Sequence, residues 1–144
     1  MPNSIMHFEI PADDIARAKA FYEETFGWKI KPFPMPPGQE YFSVATRKDG
    51  EPGINGGMMK RKMPGQPFTN YITVKSIDVM IKAVQANGGT IVLPKQAIGQ
   101  GMGWISAFTD PEHNLIGLHQ GPPALPRRSA TKKARKPATK RKRR

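Results

Sequence analysis

Cysteine is absent from the 144 residues, which excludes a disulfide framework and any thiolate nucleophile. No apolar run approaches the ~18 residues of a membrane span. The opening MPNSIMHFEI lacks the basic start and apolar stretch of an export signal, so a cytoplasmic protein is expected, with no membrane partner. Hydrophobic residues are scarce at 38%, and acidic residues are missing altogether from Gly121 onward. That last stretch gathers 11 of the 23 Lys and Arg; the other 12 face 11 acidic residues within 1–120, a net of +1 out of +12 for the chain. Residues 1–120 therefore read as one nearly neutral globular domain. Residues 121–144 read as a Lys/Arg-rich tail with no apolar face to dock, expected to be disordered.

Along the body, apolar periodicity alternates between two and 3.6 residues. Ser4–Ile10 suits a short strand ended by Pro11, with His7 and Glu9 on one face and Met6, Phe8 and Ile10 on the other. Asp13 or Asp14 can cap a helix over about 13–26. Ile15, Ala18, Phe21, Tyr22 and Phe26 would form its buried stripe, and Gly27 its left-handed stop. Strands follow at Trp28–Phe33, Tyr41–Arg47 and Ile54–Lys60, separated by the turn-forming PMPPGQ and KDGEPG.

After the linker RKMPGQP the order starts again. A strand at Thr69–Val74 leads to a helix over about 76–88, capped by Ser76, striped by Ile77, Met80, Ile81 and Val84, and stopped by Asn87, Gly88 and Gly89. Strands then fit Thr90–Val92, Trp104–Thr109 and Asn114–His119, with GQGMG and DPEHN as turns. GQGMG fits no phosphate-loop spacing and reads as a turn. Gly27 and Gly89 both end a helix, 62 positions apart, and Ile15 and Ile77 both open a stripe at the same offset. The repeat is one of pattern rather than of letters. The expected fold is α+β: two βαβββ modules, about 4–60 and 68–120.

The stretch HFEIPADDIARAKAFYEETFGW, the GINGGMM strand, the helix ending in NGG and the terminal FTDPEHNLIGLHQ together resemble the vicinal oxygen chelate superfamily. This is the group of glyoxalase I, bleomycin-resistance proteins and extradiol dioxygenases. The resemblance covers about 4–120 and leaves out the tail. It implies paired βαβββ modules with curled mixed sheets around a shared cleft, a homodimer, and within that cleft a divalent ion that glyoxalase-like members hold with four strand residues. Transferred residue by residue, those four positions fall on His7, on Gly56 or Gly57, on Thr69 and on Gly117. Glycine offers no side-chain donor and a threonine hydroxyl is a weak neutral one, whereas such sites need three or four ligands. No metal and no other cofactor is therefore expected.

His7 and Glu9 are the candidate catalytic pair, a His and a carboxylate being suitable proton-transfer groups. A polar pair satisfied within a partly wet sheet is the plainer reading. His119, two residues past Gly117, shares that residue's side of its strand and could join His7 and Glu9 in a rebuilt site. His113 belongs to a surface turn. Phe42, Met58, Met59, Tyr71 and Trp104 are candidates for an adaptable apolar cleft wall. Gly56, Gly57, Thr69 and Gly117 leave room beside them. The expected function is binding of a small organic molecule without the family metal, with a lyase or isomerase step as the chemistry open to His7 and Glu9. Two alternatives stand beside it. One is a metal-dependent glyoxalase- or dioxygenase-type enzyme with a rearranged site. The other is a nucleic-acid-associated protein acting through residues 127–144, whose cations would bind polyanions without reading sequence or stacking on bases.

Overall fold

The computed structural model describes residues 3–124; most of the cationic tail, from residue 125, lies outside the described residues. The elements are β1 (Ile5–Ala12), α1 (Ile15–Phe26), β2 (Lys29–Pro32), β3 (Phe42–Ala45), β4 (Gly56–Lys60), β5 (Thr69–Thr73), α2 (Ile77–Ala86), β6 (Thr90–Ala97), β7 (Trp104–Thr109) and β8 (Leu115–Gln120). The βαβββ order thus occurs twice, as the pattern repeat implies. All eight strands form one mixed sheet in the order β2-β3-β4-β1-β5-β8-β7-β6. Within each half the first and last strands run parallel, β1 with β4 and β5 with β8. The halves join through the antiparallel pair β1–β5.

Local chemistry sets the helix ends. Asp14 accepts from Arg17 N at 2.9 Å and Ser76 from Val79 N at 3.3 Å, each satisfying a backbone donor that the first helical turn leaves free. Gly27 ends α1 at φ 69°, a conformation that disfavours residues with a Cβ. The Glu23 carboxylate then ties the helix to the strand that follows. It accepts from Lys19 Nζ at 2.8 Å and Ile30 N at 3.1 Å, and the Lys19 hydrogen bond leads in holding it below the usual carboxylate range.

Each helix covers the same side of the sheet and makes its own core. Under α1 lie Phe8, Ile10, Ala12, Ile30, Val44 and Met58, joined by Ile15, Tyr22, Trp28 and Phe42. Under α2 lie Val74, Ile77 and Leu118, joined by Ile72, Met80, Trp104 and Phe108. The α1 stripe is narrower than expected: Phe21 and Phe26 stay 56% and 59% exposed. Tyr22 takes the inner place, stacked on Trp28 at 4.9 Å. Among the described residues no helix is long and apolar enough to cross a membrane.

Two strands run on past a proline, beyond their expected ends. β1 runs through Pro11 to Ala12. Its pairing with β5 stops at Glu9↔Thr69 while that with β4 continues to Ala12↔Lys60. Pro11, which has no N–H, thereby stands where one flank of β1 is unpaired, and its carbonyl accepts from Arg61 Nη2 at 3.2 Å. β6 continues past Val92 to Ala97, with register shifts on either side of Leu93; Pro94 is tolerated there because β6 is an edge strand. Met58 is fully buried, so Met58→Ala should lower unfolding free energy by about 2–5 kcal/mol. Met63→Ala, at a side chain 63% exposed, should stay within about 0.5 kcal/mol. Urea denaturation of the two variants checks both values.

Candidate functional site

The sheet face away from the helices carries the polar chemistry. Register fixes its membership: His7↔Tyr71, Glu9↔Thr69, Glu9↔Gly57, Tyr71↔Gly117 and Thr73↔His119 lie side by side on neighbouring strands. Side chains alternate along each strand, so this face also receives Ser43, Met59 and Ile105 through their paired neighbours. Tyr41 enters at the head of β3, two residues before Ser43.

Four side chains converge there. His7 Nε2 lies 2.8 Å from the Tyr41 hydroxyl, and the His7 ring meets Tyr71 edge-on, with centroids 5.8 Å apart. The Glu9 carboxylate acts on both tyrosine hydroxyls through its charge. Burial first, and Glu9 second, push both phenols well above their ordinary value, so Tyr41 and Tyr71 remain neutral donors. The His7 imidazole is held below its ordinary 6.5, chiefly because burial disfavours the charged form; His119 works in the same direction and Glu9 against it. His119 Nε2 lies 3.1 Å from the Met102 carbonyl, in the GQGMG turn. That turn holds Gln100 at φ 54° and leans over the end of β8.

Two glycines make this arrangement possible. A Cβ on Gly57 would collide with the Tyr41 hydroxyl, and one on Gly117 with the Tyr71 ring. The tyrosines thus fill the space over the strand positions where the resemblance puts two metal ligands.

Of the residues expected at the site, His7, Glu9, Gly57, Thr69, Tyr71, Gly117 and His119 share this face. Phe42, Met58 and Trp104 do not: they pack on the helix side, in or against the two cores. Gly56 also turns away, its missing Cβ giving room to Phe8. Short strands such as FSVA and GGMMK carry little polar–apolar contrast, so their parity is set by pairing rather than by their own letters. Tyr41 was not among the expected site residues. Its signal is cross-strand: Ser43↔Gly57 pairing puts an aromatic two residues from a position opposite a glycine, where a ring can cover the bare backbone.

The family's divalent ion finds poor support in this donor set. Only His7 of the four transferred positions carries a ligand-type side chain. Among the described residues no three His, Cys, Asp or Glu side chains are grouped to hold a metal, the trio His7, Glu9 and His119 included.

Comparison with known proteins agrees with the architecture. Residues 4–41 match the family described as bleomycin resistance protein-like N-terminal. The chain is 30% identical over 119 residues to a glyoxylase-like domain-containing protein of Didymella fabae, across 79% of this chain and 91% of that one. Methylmalonyl-CoA epimerase from Mycobacterium tuberculosis superposes with a TM-score of 0.62 at 17% identity, over 83% of this chain and 88% of the other. A hypothetical protein from Bacillus halodurans does so with a TM-score of 0.64 at 16% identity, over 88% and 99%. The chain belongs to the glyoxalase and bleomycin-resistance group of the vicinal oxygen chelate superfamily.

The contact between Tyr41 and Gly57 can be measured as a coupling. Gly57→Ala should destabilise the protein by displacing the Tyr41 side chain, and Tyr41→Ala should relieve most of that cost. A double-mutant cycle in chemical denaturation should return a coupling of about 0.5–3 kcal/mol. Strictly additive effects would mean that the two residues do not compete for one space.

Proposed function

We propose that this protein binds a small organic molecule against the sheet face away from its helices, at His7, Glu9, Tyr41 and Tyr71, without the divalent ion typical of its superfamily. One observation carries the reading: hydrogen-bonding groups of three kinds converge around two glycines at the family's ligand positions. Convergent polar groups on a largely apolar wall fix a ligand's orientation. Where the bound molecule reacts, the groups present suit proton transfer, and a lyase or isomerase step is the matching class. Glu9 is the carboxylate available to take a proton from carbon, and the Tyr41–His7 pair is a donor chain beside it. The epimerase named above is an isomerase on this fold, which supports that class.

Protein-observed NMR with a fragment library tests the site. Hits should shift the ring resonances of His7, Tyr41 and Tyr71 together, and Tyr71→Ala should weaken them by about tenfold, the scale of one lost aromatic contact. Hits confined to the helix side of the sheet would refute the placement. Elemental analysis of protein purified without chelator should find well under one equivalent of Zn, Ni, Fe or Mn. A stoichiometric ion lost on His7→Ala would instead support the metalloenzyme alternative.

A second reading concerns residues 127–144, whose 11 basic and no acidic residues favour a polyanion partner such as DNA or RNA. Counterion release makes such binding steeply salt-dependent. If roughly six to ten phosphates are neutralised, affinity should fall ~10³–10⁵-fold between about 50 and 200 mM salt. Truncation after Gly121 should abolish binding while leaving the fold intact, since the remaining body carries a net of only +1. A salt-titrated DNA-binding assay on both forms is the measurement. Equal binding would place the basic surface in the body.

A further inference from the structure

The sheet face away from the helices has a sign. The charged or titratable groups that act on His7 are Glu9 and His119; those that act on Tyr41 are Glu9 and Tyr71; the one that acts on Tyr71 is Glu9. No lysine or arginine is among them. The ion pairs of the described residues join Lys19 to Glu23, Arg61 to Asp13 and Lys95 to Asp78, so none engages Glu9. On the neighbouring strands Glu9 faces Gly57 and Thr69. The lysines of β2, Lys29 and Lys31, stand three strands away. At about 4.8 Å per strand that is roughly 14 Å, beyond the ~8 Å screening length of physiological salt.

The Glu9 carboxylate therefore sits half-buried among neutral donors. Two phenols and an imidazole can hydrogen-bond it or one another, but none of them cancels its charge. A partly desolvated carboxylate is costly unless a cation meets it. The rings of Tyr41 and Tyr71 beside it present faces that attract cations too. An anionic ligand would meet Glu9 with no ion-paired cation beside it among the described residues.

We infer that the site selects a small organic cation, a protonated amine on a flat apolar body, with its N–H groups directed to Glu9 and its body laid against Tyr41 and Tyr71. The inference rests on the reading that a ligand occupies this face, and it names the chemical class.

Matched fragments test it on the full-length chain. For phenyl and indole cores, three side arms of equal length are compared: an amine (phenethylamine, tryptamine), a neutral amide and a carboxylate. Affinity and position are read from His7 and tyrosine ring resonances in about 150 mM salt. The amines should bind about tenfold or more tightly than their amides, the carboxylates weakest of all. Glu9→Gln, which keeps shape and removes charge, should bring amine and amide to within about twofold. Any attraction of carboxylates to the cationic tail would be unchanged by that substitution. Amides or carboxylates that bind at His7 as well as amines would overturn the charge selection and leave the binding face standing. If every fragment shifts only residues outside this face, both readings fall. Should Glu9→Gln fail to fold, the ranking of amine, amide and carboxylate on the unmodified protein still decides the matter.

Discussion

The ladder between β1 and β5 is the constraint on which the remaining architecture rests. Each half of the chain buries a core under its own helix, and neither core extends across the middle of the sheet. What fuses the halves is a short antiparallel pairing, His7↔Tyr71, Phe8↔Asn70 and Glu9↔Thr69. A slip of one residue there would exchange the faces of a strand, sending His7 and Glu9 toward α1 and Phe8 toward the polar side. The large apolar burial of Phe8 and Ile10 holds the register, and the register places the polar cluster. The placement of the site is thus a by-product of core packing on the opposite side of the same strand.

Much of this was legible in the sequence where the chemistry is local. Helix caps at Asp14 and Ser76, the αL stop at Gly27 and the period-two run through His7 and Glu9 each depend on a few adjacent residues. Legibility failed where a second strand decides. Pro11 reads as a terminator because nothing nearby says that β5 pairing ends before it. Phe42, Met58 and Trp104 read as a cleft wall because an aromatic or Met on a short strand looks alike on either face. Tyr41 was invisible for the same reason, its role being defined by Gly57 on the adjoining strand. Of the candidate site, His7, Glu9, Tyr71 and His119 could be placed by alternation, while the residue bonded to His7 could not.

The tyrosine–glycine contacts also explain why the superfamily's metal chemistry and this sequence sit badly together. A ligand side chain at position 57 or 117 needs the volume now taken by Tyr41 or Tyr71. Glycine and tyrosine therefore act as a unit. Restoring a donor at one position without removing the ring across from it would build a clash rather than a coordination site.

The pairing of β1 with β5 also relates the two halves by an approximate twofold axis, since His7 lies opposite Tyr71 just as Thr69 lies opposite Glu9. The 62-residue offset that equates the helix stops makes His7 the counterpart of Thr69 and Glu9 the counterpart of Tyr71. A duplicated chain with identical halves would offer any bound molecule two equivalent poses, head to tail and reversed. Here one counterpart is an acid and the other a phenol, and one is an imidazole and the other a small hydroxyl. The degeneracy is gone: a molecule laid across the axis would meet different side chains in its two headings.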